Sequence, residues 1–193
     1  MRTASIERKT KETDIKLSLN LDGNGKFENE SGNDFLTHML DLLACHSCFD
    51  MNIYCKGDIE VDMHHSTEDI GIVFGQAVRE ALGDRVGITR YGNFLMPMDE
   101  SLMLVAIDIS GRAALNFDVT FPDAQIGVFD CALVEEFFAA VSRTLGASLH
   151  FKLLAGKNSH HIAEAAFKGF ARALKQAVTV SGTAIPSSKG LLD

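Results

Sequence analysis

Between residues 13 and 21 apolar and polar side chains alternate, with Ile15, Leu17, Leu19 and Leu21 on one face. A period of two predicts a half-buried strand. Asp22-Gly23-Asn24-Gly25 turns the chain, and residues 26–30 return as a second strand. The period then lengthens to that of a helix from Phe35 to about His46, capped by Gly32-Asn33-Asp34, with Phe35, Met39 and Leu42 along its stripe. Residues 51–62 read as a further strand broken near Gly57. A second helix runs from there through Ile70, Val73, Phe74, Ala77 and Ala81 to a stop at Gly83.

The order then repeats. Residues 101–110 form an apolar strand ending at Gly111-Arg112, and residues 115–121 alternate as its partner. A helix starts at Asp130 and passes through Leu133, Phe137 and Val141 to Gly146. Residues 148–155 form a strand, and Ser159 caps a last helix through Phe167, Phe170 and Leu174. The pattern predicts an α+β fold of two duplicated ββαβα halves, residues 1–90 and 91–193. Each half is a small four-stranded-type sheet with two helices on one face, and the two pack as a pseudo-symmetric pair. Residues 83–98 read as the linker. The partly polar outer faces of the sheets point to contacts with other subunits, hence to an oligomer.

At the start of the second helix in each half stands the same short motif. His64-His65-Ser-Thr-Glu68 and His160-His161-Ile-Ala-Glu164 are both His-His-x-x-Glu, half of the 193-residue chain apart. Residues four apart share a helix face, so His64 with Glu68 and His160 with Glu164 aim at one place. Adjacent histidines diverge by about 100° around the axis, so one metal cannot easily take both. Two metals, each taking one histidine from each motif, satisfy that constraint. Nitrogen with carboxylate suits manganese, iron or zinc, and the lack of thiolate weakens zinc. His38 and Glu136 occupy matching places upstream of the two motifs on otherwise apolar helices, and would complete four protein ligands per metal. His46, at a helix end, is within reach of a ligand. His150, alternating within a strand, reads as structural.

Composition narrows the partners. A net charge of −8 argues against nucleic acid, which needs a basic face. No apolar run approaches the roughly 20 residues that span a bilayer, and the first ten residues lack a signal core or transit-peptide pattern. The chain therefore reads as cytoplasmic. Cys45, Cys48, Cys55 and Cys131 fit a reducing compartment. Cys45 and Cys48 have C-x-x-C spacing but no matching second pair, and read as buried free thiols at a helix end. The tail Ile185-Pro-Ser-Ser188-Lys189-Gly190 offers hydroxyls, amides and one cation to a phosphate. Alone, it reads first as a free terminus. Arg90 and Arg112 follow turn-like stretches and are able to add guanidinium contacts, though by themselves they are surface charges.

Taken together, His64-His65-Ser-Thr-Glu68-Asp-Ile-Gly, Pro97-Met-Asp-Glu100, Asp108-Ile-Ser-Gly-Arg112, Asn158-Ser-His160-His161-Ile-Ala-Glu164-Ala-Ala-Phe-Lys168 and Pro186-Ser-Ser-Lys-Gly190 resemble imidazoleglycerol-phosphate dehydratase. The likeness runs from Lys11-Glu12-Thr13 to the tail. It implies a hydro-lyase of histidine biosynthesis, a duplicated fold, a 24-subunit shell, and active sites between subunits around two manganese ions each. Carried over by position, the metal ligands are His38, His64, His65, Glu68, His160, His161 and Glu164, with Glu136 where several relatives have histidine. Glu12 and His46 match positions facing the substrate, while Arg90, Arg112, Lys168, Ser188 and Lys189 match the phosphate-binding set. Leu42 stands where the family usually has a glutamine for the phosphate. His46-Ser-Cys-Phe-Asp50 and Asp62-Met63 are further departures.

The implied reaction eliminates water from a glycerol chain on an imidazole ring, giving imidazoleacetol phosphate. A metal-bound imidazolate expels the hydroxyl, and Glu164 or Glu12 takes the neighbouring carbon's proton. A metal-dependent hydrolase, a shell protein glued by metal and a member without turnover are the competing readings; they differ in the product released.

Overall fold

The structure, a computed structural model, describes residues 1–192. Its first half runs β1 (Thr3–Lys9), β2 (Thr13–Asn20), β3 (Phe27–Glu30), α1 (Asp34–Ser47), β4 (Asp50–Gly57) and α2 (His64–Leu82). The second runs β5 (Tyr91–Met98), β6 (Ser101–Asp108), β7 (Ala114–Asp118), the short hairpin β8 (Gln125–Ile126) and β9 (Phe129–Asp130), α3 (Ala132–Leu145), β10 (Ser148–Ala155) and α4 (Ser159–Val178). The sheets have orders β1-β2-β4-β3 and β5-β6-β10-β7. In both, three strands are antiparallel and the last is parallel to its neighbour.

Each four-stranded sheet thus holds one strand, β1 or β5, that the periodicity does not mark, and the second half adds the β8–β9 hairpin. β5 falls where a linker is expected. Its inward positions are Gly92, Phe94, Met96 and Met98, and a glycine and Pro97 blur the alternation. β1 turns only Ala4, Ile6 and Arg8 inward, too little apolar bulk to register.

Both helices of a half lie on one face of its sheet. The two helix layers then pack crosswise, α2 along α3 and α1 along α4, so that four helices lie between two sheets. Burial drives this arrangement. On β2 and β4, Ile15, Leu17, Leu19, Met51, Ile53 and Cys55 face the helices, while Lys16, Ser18, Asn52, Tyr54 and Lys56 face outward. A phenylalanine cluster fills the second half: Phe138 meets Phe151 at 4.3 Å and Phe167 at 4.9 Å between ring centres, and Phe137 meets Phe167 at 5.1 Å. On α1 the buried stripe is Leu36, Met39, Leu40 and Leu43, rotated slightly from the expected one; Phe35 and Leu42 flank it, half-buried. Among the described residues no helix is long and apolar enough to cross a membrane.

Helix ends follow local chemistry. Asn33 caps α1 by accepting from the Leu36 N–H at 3.0 Å, and Gly146 ends α3 at φ 73°. Asn158, rather than Ser159, caps α4: its Oδ1 accepts from the His160 and His161 N–H groups at 2.9 and 3.3 Å. Ser159 is instead buried against Asp123. All four cysteines are free, with Cys55 and Cys131 buried. Cys45 is exposed and Cys48 half-buried, contrary to the expectation of buried thiols, because α1 turns its last outward position to Cys45 and ends on Cys48 at φ 58°.

The α2–α3 crossing depends on Gly71 and Gly75. A Cβ at Gly71 would lie 2.7 Å from the Phe137 carbonyl oxygen and 2.9 Å from the Ala140 Cβ. Gly71→Val should therefore force the helices apart and cost about 1–3 kcal/mol or more. Denaturant unfolding of the metal-free protein checks this, and an unchanged midpoint would mean the close approach is not needed.

Candidate metal centre and phosphate pocket

The crosswise packing of helices assembles the site. His38 comes from α1 and the second histidine motif from α4, elements of different halves. Glu164 Oε1 lies 3.0 Å from His38 Nε2 and 3.1 Å from His160 Nε2, while Lys168 Nζ donates to Oε2 at 2.6 Å. Ligand atoms of His38, His160 and Glu164 all fall within 4.8 Å of one another, the single such group of three among the described residues. Glu164 is only 6% exposed. Burial works to raise its carboxyl, but donation from Lys168, His38 and His160 outweighs it and holds the group at about 2. Two imidazoles and an ionised carboxylate converging on one point are a donor set that fits a divalent cation. Phe35 packs edge-on against the His160 ring at 5.3 Å.

The other diagonal is built alike but stands more open. His64 Nε2 is 3.8 Å from Glu68 Oε2, and Glu68 Oε1 accepts from Arg143 of α3 at 2.6 Å. Glu136, also on α3, lines a cavity of about 490 Å³ together with His64 and Asp62. His38 and Glu136, at matching places upstream of the first and second motifs, each stand beside the motif of the other half: His38 bonds Glu164 of the second, and Glu136 shares a cavity with His64 of the first. An Asx contact orients each motif's first histidine. Asp62 Oδ1 accepts from the His64 N–H at 2.7 Å, as Asn158 does from His160.

The second histidine of each motif turns away from these groups. His65 Nδ1 faces Asp58 Oδ2 at 3.0 Å, and His161 Nδ1 faces Glu100 Oε2 at 2.7 Å. Those bonds raise both imidazoles above their ordinary value, and His161 in turn pulls Glu100 down to about 2. Glu12, exposed in the β1–β2 turn, approaches His65 Nε2 to 3.9 Å. Its hairpin is fastened to α2 by a buried network in which Thr13 Oγ1 donates to Asp69 at 2.5 Å and Arg8 pairs with Asp69 at 2.9 Å. His46 is half-buried in the last turn of α1. Burial, then the nearby Arg172 and Lys168 cations, lower it.

A separate pocket of about 170 Å³ gathers Arg90, Arg112, Ser188 and Lys189 with Ser110 and Ser187. Arg90 adopts φ 71°. It is held by Asp108 at 2.7 and 3.1 Å, donates to the Pro186 carbonyl at 3.0 Å and lies over the Tyr91 ring. The tail is thereby folded back against β6 instead of hanging free. Lys168 is not part of this pocket; it belongs to the Glu164 group. Leu42 packs half-buried against the core, and His150 lies exposed on β10.

Sequence reasoning gave no role to Asp58, Asp69, Glu100 or Asp108, the carboxylates that hold the functional side chains. Asp69, Glu100 and Asp108 do lie inside motifs of the resemblance, which was the signal available for them; Asp58 lies in none.

Known proteins of similar sequence and fold share one description. The family model described as imidazoleglycerol-phosphate dehydratase matches residues 31–174. The imidazoleglycerol-phosphate dehydratase of Rhodopseudomonas palustris (strain HaA2) is 54% identical, over 100% of this chain and 99% of the relative. That of Desulforamulus reducens is 51% identical over 99% and 98%. Among solved structures, the Staphylococcus aureus enzyme superposes with a TM-score of 0.85 at 40% identity, covering 93% of this chain and 99% of that one. The Pyrococcus furiosus enzyme does so at 0.85 and 41%, covering 97% and 100%. On a match of this extent and identity, the chain belongs to the imidazoleglycerol-phosphate dehydratase family, hydro-lyases of histidine biosynthesis that act on a small phosphorylated substrate.

Proposed function

We propose that the chain dehydrates imidazoleglycerol phosphate to imidazoleacetol phosphate with two manganese ions at each active site. The observation that carries this reading is the convergence of His38, His160 and Glu164 across the two halves. One ion would be held by that group, the other by His64, Glu68 and Glu136. His65 and His161, half-exposed and aimed elsewhere, would complete sites on neighbouring subunits of a 24-subunit shell. Bound there, manganese would supply the Lewis acidity that stabilises negative charge on the substrate's imidazole ring.

The chain's own residues do the rest. Glu164 is engaged by three donors and serves as a ligand. Glu12, whose carboxylate has no hydrogen bond among the described residues and stays 3.9 Å from His65, is open to take the proton from the carbon next to the departing hydroxyl; the hydroxyl and that proton together make up the water lost. His46 lines the substrate's approach beside Lys168. Arg90, Arg112, Ser188 and Lys189 grip the phosphate and so fix the reacting carbons, a positioning effect worth several orders of magnitude in rate. Arg90 is already locked by Asp108, which favours a rigid over a mobile clamp. The four free thiols support a cytoplasmic setting.

Three outcomes test the reading. Protein stripped by a chelator should lose formation of imidazoleacetol phosphate and shrink in sedimentation, and Mn2+ should restore both; turnover that survives full stripping would exclude the metal. Glu12→Gln should lower kcat by roughly 100- to 10,000-fold while metal content stays at that of the wild type. Lys189→Ala should raise KM by about 10- to 100-fold, as expected for losing one charge-assisted contact to phosphate, with a smaller change in kcat. Steady-state kinetics separate the two effects.

A further inference from the structure

The duplication puts a glutamate immediately before the second strand of each half: Glu12 before β2 and Glu100 before β6. Both side chains stand beside the second histidine of their own half's motif, yet their contacts differ. Glu100 is fully engaged. Its Oε2 accepts from His161 Nδ1 at 2.7 Å, and its Oε1 from the Asn158 and Lys157 N–H groups at 3.0 and 3.3 Å and from the Ser101 hydroxyl at 3.3 Å. Glu12 stays 3.9 Å from His65, whose Nδ1 is held by Asp58. Asp58 sits on the loop after β4. The equivalent loop after β10, residues 156–158, is Gly-Lys-Asn and carries no acid.

We infer that Glu100 is the positioning residue for His161, doing in the second half what Asp58 does in the first, so that only Glu12 of the two hairpin glutamates is left for proton transfer. The inference rests on the metal reading above. An ionised carboxylate only accepts hydrogen bonds, so His161 keeps its proton on Nδ1 and its lone pair on Nε2. Nε2 lies 3.6 Å from Asp99 Oδ2, beyond hydrogen-bond range, and is the nitrogen offered to a cation. Glu100 also bonds the backbone beside Asn158, which caps α4, so ring and helix start are set by one side chain.

Glu100→Gln separates these roles. The amide oxygen keeps the backbone contacts, while the amide NH2 donates to Nδ1 and moves the ring proton to Nε2. Mn2+ affinity, read from water-proton relaxation during titration of the stripped protein, should fall about 10- to 100-fold. Activity lost at limiting Mn2+ should return as Mn2+ is raised, and the unfolding midpoint of the metal-free protein should hold. Glu12→Gln should do the reverse, keeping affinity and losing kcat. Wild-type affinity in Glu100→Gln would overturn the proposal, as would lost turnover that no Mn2+ concentration restores. A wild-type protein that binds no Mn2+ would remove the metal reading itself, a result visible before any variant is compared.

Discussion

A carboxylate buried to 6% exposure cannot stay ionised without donors around it. Glu164 obtains them from three directions: Lys168 one turn along α4, His160 one turn back, and His38 from α1 of the other half. The first two are local to the helix. The third exists only because α1 packs along α4. Charge compensation at this one group therefore couples the interhalf packing to the site, and a cation at that point would take over the compensation that the imidazoles now give.

The duplication explains both the regularity of the molecule and where it departs from regularity. Strand order, helix order and the Asx contact before each motif recur in both halves. The polar surroundings of the motifs do not. Glu68 is drawn toward Arg143 and Glu164 toward Lys168; His65 leans on a loop aspartate and His161 on a hairpin glutamate. Two copies of one scaffold thus present two different sets of carboxylates, an inequality that the proposed elimination would use, with some acids holding metal and Glu12 moving a proton.

The pocket around Arg90 follows a different logic. Arg90 has its guanidinium fixed by Asp108 and its backbone in the left-handed region, and it captures the tail through the Pro186 carbonyl. The tail has little apolar surface with which to hold itself, and these polar contacts decide that Ser188 and Lys189 face Arg112. Leu42 packs half-buried against the core.

Much of the protein was legible in the chain by itself. Alternation marked β2 and β7 and apolar runs marked β6 and β10; the helical stripes marked all four helices; and repetition of His-His-x-x-Glu marked the candidate site and the duplication. Those signals are local, arising from periods of two and 3.6 residues and from turn and cap chemistry. Strand β1 escaped because its inward face carries only Ala4, Ile6 and Arg8, and β5 because Gly92 and Pro97 blur its alternation. Only the tertiary structure decided that His38 meets the second motif and that Glu136 shares a cavity with the first, that Asp58 and Glu100 bond the second histidines, and that the tail lies beside Arg90 and Arg112. Each is a contact between residues distant in sequence, fixed by helix packing and hairpin placement, and no local period encodes which partner a side chain will meet.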